Sequence, residues 1–259
     1  MPMTDKQFVS EYLERIGHNG NLEPCLDTLR TLQQEHVFRI PFENLDILRR
    51  VPPSLDRDFL FERIIRQGRG GVCYELNTLF YYLLSALGFS VCQIGGRNYM
   101  NSPLTGHAFN LVHLEQGNYT ADVGYGDSAV PPLPVTGGRV AGYHALWWIE
   151  PEGEEFLRLY QSRDGGEAQA QYQFSLQPRT REEFLQTFRF SAAPGNTIFS
   201  QRPICVRYTP QGKISLRKGV LTVEEENRVV EQRPVAPGAE TERCLREYFA
   251  LSVPGDGCF

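Results

Sequence analysis

The chain is 259 residues long, with 41% hydrophobic and 22% charged residues, enough apolar material to bury a sizeable core as one large domain or as two or three subdomains. Its net charge of -5 argues against nucleic acid or an anionic membrane as partner, and no 18-residue apolar run suggests a membrane span. The start Met1-Pro2-Met3-Thr4-Asp5-Lys6 has no apolar signal core, so the expected location is the cytoplasm. In that reducing compartment Cys25, Cys73, Cys92, Cys205, Cys244 and Cys258, which show no CxxC spacing, read as free thiols and not as disulfides or a zinc site.

The first 90 or so residues read as mostly helical. Thr4 or Asp5 can cap a helix carrying Phe8, Tyr12, Leu13 and Ile16 that ends at Gly17. Leu22, Leu26, Leu29 and Leu32 follow at helical spacing, and Pro41 then forbids continuation. The stretch Ile40-Pro41-Phe42-Glu43-Asn44-Leu45-Asp46 reads as a packed connector. A further helix is expected over 59–67, ending at Gly68.

Next comes Arg69-Gly70-Gly71-Val72-Cys73-Tyr74-Glu75-Leu76-Asn77. Leu76, Leu79, Phe80, Leu83, Leu84 and Leu87 form a helical stripe that stops at Gly88, which places Cys73 in the first helical turn. A thiol there faces the positive end of the helix dipole, which favours thiolate. A small buried cysteine filling the core is the ordinary alternative. The Gly-Gly approach, where backbone must come close to something, favours a nucleophile.

After Gly88 the period becomes two. Runs over 89–94, 106–114 and 119–124 read as strands, with Gln116-Gly117-Asn118 as turn chemistry. The resulting hairpin carries histidines on one arm and Asp122 on the other. A tight turn at Gly117 and Asn118 pairs Gln116 with Tyr119 and sets Asp122 opposite His113, leaving His107 six residues further along, about 20 Å at strand spacing. On this register His113 rivals His107 as Asp122's partner, and a bulge or looser loop is needed to bring His107 back. His18, His36 and His144 lack a comparable context.

Pro131-Pro132-Leu133-Pro134 and Gly137-Gly138 read as loop, and alternating runs over 145–149, 156–160 and 171–176 suggest an antiparallel sheet or small barrel. Trp147 and Trp148 read as core and rim. Thr180-Arg181-Glu182-Glu183 is a capping box opening a short helix. Two strands are expected around Thr209-Pro210-Gln211-Gly212, one near 220–223, and a closing helix over 241–251. Glu224-Glu225-Glu226 reads as a solvated helix start or turn.

The stretch from Arg69 to Asn77 resembles the signature of the arylamine N-acetyltransferases, a far more specific match than a lone glycine fingerprint. Pro41-Phe42-Glu43-Asn44-Leu45 and Asp122-Val123-Gly124-Tyr125-Gly126 also resemble that family. So, more weakly, do Ser191-Ala192-Ala193-Pro194-Gly195-Asn196-Thr197-Ile198-Phe199, with Asn196 and Thr197 departing from the usual small-hydroxyl pattern, and Pro254-Gly255-Asp256-Gly257. The resemblance implies an α+β fold with an N-terminal helical bundle, a central antiparallel β-barrel or sheet and a C-terminal α/β lid around a papain- or transglutaminase-like Cys-His-Asp core. The expected subdomains are 1–90 with the nucleophile, 91–190 with the His and Asp, and 191–259 as the lid.

The resemblance further implies Cys73, His107 and Asp122 as catalytic residues, Gly106, Gly124, Thr197 and Phe199 at coenzyme A, and Phe42 and Tyr125 as walls of an arylamine pocket. Acetyl-coenzyme A is the expected donor and an aromatic amine, hydroxylamine or hydrazine the acceptor, with no metal required. The assembly is expected to be a monomer or a homodimer. Macrocycle-closing amide synthases, and cysteine hydrolases or transglutaminase-like enzymes, could use the same three residues.

Overall fold

The computed structural model describes residues 3–98, 102–126 and 128–251; Met1, Pro2, Cys258 and the 254–257 stretch lie outside them. Helix α1 (Asp5–Ile16) is capped by Thr4, whose hydroxyl accepts the Gln7 N–H, and Gly17 closes it at φ 66°. Helix α2 (Leu26–Arg39) ends before Pro41 as expected. Two residues, β1 (Phe42–Glu43), and a single turn, α3 (Leu45–Leu48), form the connector.

The expected helix over 59–67 is different in kind. Only α4 (Arg57–Leu60) is α-helical, and Phe61–Arg66 is π-helical. The widened turn buries Phe61, Arg63, Ile64 and Ile65 together, so a guanidinium enters the core beside three apolar side chains. A short apolar run cannot distinguish a period of 3.6 from a wider one. Helix α5 (Cys73–Ala86) follows, buried through most of its length.

The strands β2 (Ser90–Arg97), β3 (His107–Leu114), β4 (Gly117–Ala121), β5 (Leu133–Pro134), β6 (Val140–Gly142), β7 (Ala145–Glu152), β8 (Phe156–Ser162) and β9 (Gln169–Pro178) form one antiparallel sheet. Their order is β5-β4-β3-β2-β9-β8-β7-β6, and β5 comes back against β7, which nearly closes a barrel. Ile94, Phe109, Leu111, Trp147, Tyr172 and Phe174 fill its inside. Trp148, expected at the rim, is instead buried in mid-strand and stacked on Tyr160.

The register corrects the hairpin. Leu114 pairs with Gly117, so the turn is Glu115 and Gln116, and Gly117 and Asn118 are already strand. His113 therefore faces Asn118, not Asp122, and the last pair, Asn110 with Ala121, leaves Asp122 beside the start of β3. No bulge is needed to bring His107 to it.

Beyond the capped helix α6 (Arg181–Ala192) and the 3-10 turn Ile198–Ser200, a second sheet has the order β1-β10-β11-β12-β13, from β10 (Ile204–Tyr208), β11 (Gly212–Arg217), β12 (Val220–Glu225) and β13 (Arg228–Pro234). The strand β13 is missing from the sequence reading; of the acidic run read as a helix start or turn, Glu224 and Glu225 end β12 and Glu226 begins the turn to β13. The adjacent Val229 and Val230 break strict alternation, and a register shift at Val223 and Glu224 explains why. Helix α7 (Ala239–Phe249) closes the described chain by burying Cys244, Leu245 and Phe249. None of the described helices is long and apolar enough to cross a membrane.

Candidate active site

Cys73 opens α5 because the chain before it is clamped. A Cβ on Gly70 would run into the Pro41 carbonyl oxygen, so only glycine lets the two segments run side by side. There Glu43 N–H donates to the Gly71 carbonyl at 3.0 Å, bridging β1 to the turn. The Glu75 carboxylate accepts the Val72 N–H at 3.0 Å, satisfying a donor that the helix start would leave unpaired.

Beneath this turn is a buried charge cluster. Arg69 donates to Glu43 at 2.8 Å and pairs with Asp46 at 2.9 Å. Arg63 pairs with Asp46 at 2.9 Å and Glu75 at 2.6 Å. Burial pushes Glu75 up to about 7 even against the pull of Arg63, as three carboxylates share two guanidinium groups.

Helix α5 also holds the opposing strands. Tyr74 donates its hydroxyl to the Thr105 and Gly106 carbonyls, both at 3.1 Å, seating the chain that delivers His107. One turn after Cys73, the Asn77 amide donates to Asp122 Oδ1 at 2.9 Å and to the Ala108 carbonyl at 2.8 Å, while its oxygen accepts Val123 N–H at 3.0 Å. Gly124 then passes so close that a Cβ would stand 2.8 Å from the Cys73 Cα.

His107 Nε2 lies 2.6 Å from Asp122 Oδ2, and both side chains are buried. Asp122 further accepts the Tyr172 hydroxyl at 3.0 Å and the Gly124 N–H at 2.9 Å. Burial disfavours the carboxylate, but the His107 charge and hydrogen bonds from His107, the Gly124 N–H and the Asn77 amide hold Asp122 below its usual range. Burial likewise opposes charge on the His107 ring. The Asp122 carboxylate, with further help from a hydrogen bond to Cys73, outweighs it and pushes His107 up to about 10. The arrangement is a thiol, an imidazole and a carboxylate in sequence, suited to nucleophilic attack with proton transfer.

Cys73 and His107 open onto a cleft of about 90 Å3. Phe42, Gly106, Gly124, Tyr125 and Phe199, all expected from the sequence, line it as well. Thr197 does not; its hydroxyl accepts the Phe199 N–H and donates to the Ser191 carbonyl at 2.8 Å, capping the 3-10 turn. The structure adds Asn98, Gly126, Ile198, Ile204 and Arg217 to the cleft, and Asn77 and Tyr172 to the Asp122 carboxylate. Asn77 could have been read as a residue four positions after Cys73 on one helix face. Tyr172 arrives from β9, 50 residues beyond Asp122, and nothing local marks it.

A model of the N-acetyltransferase family matches residues 25–257. The chain is 33% identical over 237 residues to proansamycin X synthase of Amycolatopsis mediterranei, covering 83% of this chain and 87% of that protein. The solved arylamine N-acetyltransferase of Salmonella typhimurium superposes with a TM-score of 0.89 at 29% identity, over 96% of this chain and 92% of that one. The Mycobacterium marinum arylamine N-acetyltransferase, solved in complex with CoA, gives 0.87 at 27% identity, over 94% and 92%. With the match running through both sheets and nearly all the helices, the chain belongs to the arylamine N-acetyltransferase family of acyltransferases.

Proposed function

We propose that this protein moves an acetyl group from acetyl-coenzyme A to the nitrogen of an arylamine, arylhydroxylamine or hydrazine, in two half-reactions through acetyl-Cys73. The observation that carries this reading is the line Cys73, His107, Asp122, with the first two at the wall of one cleft and Asp122 buried behind the imidazole. The Cys73 sulfur attacks the thioester carbonyl carbon, the carbon–sulfur bond to coenzyme A breaks, and the imidazolium protonates the departing thiolate. The amine nitrogen then attacks acetyl-Cys73, His107 takes its proton, and the Cys73 thiolate leaves. Asp122 orients the ring and stabilises its charged form throughout.

Phe42 and Tyr125 supply aromatic faces for the acceptor ring, with Phe199 centred 6.0 Å from Phe42. Gly106, Gly124 and Phe199 line the entry that the coenzyme's thioester arm would take, and the CoA complex of the Mycobacterium marinum relative supports that donor. In this reading residues 1–90 bring the nucleophile, 91–190 the His and Asp, and 191–259 the lid.

A second reading rests on the similarity to proansamycin X synthase: closure of an amide within one long acyl chain. Two measurements separate the possibilities. Incubation with acetyl-coenzyme A and no amine should add one acetyl group, mapped by mass spectrometry to Cys73; acetylation confined to lysines or other cysteines would sink the mechanism. A panel of acyl-coenzyme A donors and aromatic amines should then release coenzyme A at every turnover. An enzyme acylated on Cys73 that passes the acyl group to no free amine belongs to the second reading.

A further inference from the structure

We propose that Cys92, His113 and Asn118 form a second thiol site, apart from the acetyl-transfer cleft, that exchanges with small anionic disulfides. Three adjacent strands build it. Cys92 on β2 pairs with Leu111 and His113 on β3 pairs with Ser90, so the two are diagonal neighbours, and His113 lies directly across from Asn118 on β4. His113 Nδ1 is 2.7 Å from the Asn118 side-chain oxygen, which only accepts. Nδ1 therefore carries the hydrogen, and Nε2 presents its lone pair to the Cys92 sulfur at 3.9 Å. The order thiol, imidazole, carboxamide makes His113 a base for Cys92.

Cys92 is partly exposed and lies in a surface groove of about 350 Å3 with Tyr81, Tyr82, Arg179 and Arg181. The groove's chemistry selects its occupant. Arg181 donates to the Tyr82 hydroxyl. The Arg179 backbone N–H is fixed on the Gln93 carbonyl at 2.8 Å, its Nη1 reaches Glu183 at 3.3 Å, and its buried Nε has no acceptor among the described residues. Two guanidinium groups and two phenol rings beside a thiol suit a peptide-sized disulfide bearing carboxylates. Burial pushes the Cys92 thiol up, so attack requires the proton to leave with it. The Cys92 S–H proton passes to His113 Nε2, the sulfur bonds to one disulfide sulfur, and the disulfide S–S bond breaks. The other half departs as thiolate and takes the proton from His113. No net oxidant beyond the disulfide is consumed.

The test uses full-length Cys73→Ala protein, which removes the other reactive thiol, with glutathione disulfide as probe and mapping of the adduct by mass spectrometry. Cys92 should be modified faster than the partly exposed Cys25, reversibly by dithiothreitol. His113→Gln should slow the reaction at Cys92 by on the order of 10^2-fold, as loss of a general base does. The double change Arg179→Gln, Arg181→Gln should slow glutathione disulfide but not the neutral bis(2-hydroxyethyl) disulfide, with thermal unfolding showing that each variant is folded. Modification of Cys92 at the rate of Cys25, or a rate indifferent to His113, would overturn the site. Equal effects of the arginine changes on both disulfides would overturn its preference for anions.

Discussion

His107 is gripped more firmly than packing requires: Asp122 holds one nitrogen at 2.6 Å, and the rings of Phe109, Tyr125 and Tyr172 lie within 5.5 Å of its own. His107→Gln should lower the rate of Cys73 acetylation by on the order of 10^3-fold or more, because base and charge are lost together. His113→Gln should leave that rate within about twofold, since His113 hydrogen-bonds Asn118 and does not face Asp122. Exchange of the two outcomes would reverse the assignment. The pH dependence of stability has a definite sign. The His107 pKa rises on folding from 6.5 to about 10, so its pairing stabilises fully below about pH 6.5 and is lost as the pH climbs through about 10. The melting temperature should fall more steeply across that window in the wild type than in Asp122→Asn; parallel curves would mean that the pair is not charged. His36 behaves oppositely. Burial, aided by Arg15, drives its pKa down to about 3, so its contribution is present above pH 6.5 and lost as the pH falls toward 3.

The elements that present these residues were legible to unequal degrees. Helix α5 could be read from its apolar stripe and its Gly-Gly approach, and the capping box of α6 from four letters, because such signals are local. Composition points to the wrong residues for the β3–β4 turn, because Gly117 and Asn118 have turn chemistry yet sit in a strand, Gly117 at φ 127°. Turn composition marks the neighbourhood of a reversal, and pairing with β2 and β5 fixes the register. The charge cluster beneath Cys73 is invisible in sequence: Glu43, Asp46, Arg69 and Glu75 fall in the stretches singled out, but nothing marks Arg63, which a π-helical turn brings inward. Arg63→Met would leave the buried Glu75 and the half-buried Asp46 with too little positive charge, which costs about 3–5 kcal/mol. Chemical denaturation should show this loss. A variant of unchanged stability would mean that the carboxylates simply take up protons or water.

At the scale of the whole molecule, the cleft exists only because distant segments meet. Its lining comes from β1, α5, β3, the chain after β4, the 3-10 turn and the second sheet. The seam between first and last thirds is held by the pairing of β1 with β10, by Leu45 in the apolar core of the second sheet, and by one buried polar side chain, Asn44. Its amide donates to the Phe199 carbonyl at 2.6 Å and the Arg202 carbonyl at 2.8 Å, while its oxygen accepts the Ile204 N–H at 2.7 Å. No reading of the Pro-Phe-Glu-Asn-Leu stretch could supply partners 155 to 160 residues away. Asn44→Ala removes three hydrogen bonds and strands two carbonyls and an N–H, a loss of about 2–4 kcal/mol, or roughly 5–15 °C in melting temperature. The consequence for chemistry should be selective. Cys73, His107 and Asp122 keep their own supports in Glu75, Tyr74 and Asn77, whereas Ile198 and Phe199 lose the tether that fixes them at the cleft. The KM for acetyl-coenzyme A should therefore rise severalfold, while acetylation of Cys73 at saturating donor stays within about threefold of wild type. Limited proteolysis should cut first within residues 195–203. A variant whose saturated acetylation rate collapses while its KM holds would place Asn44 with the reacting groups instead of the lid.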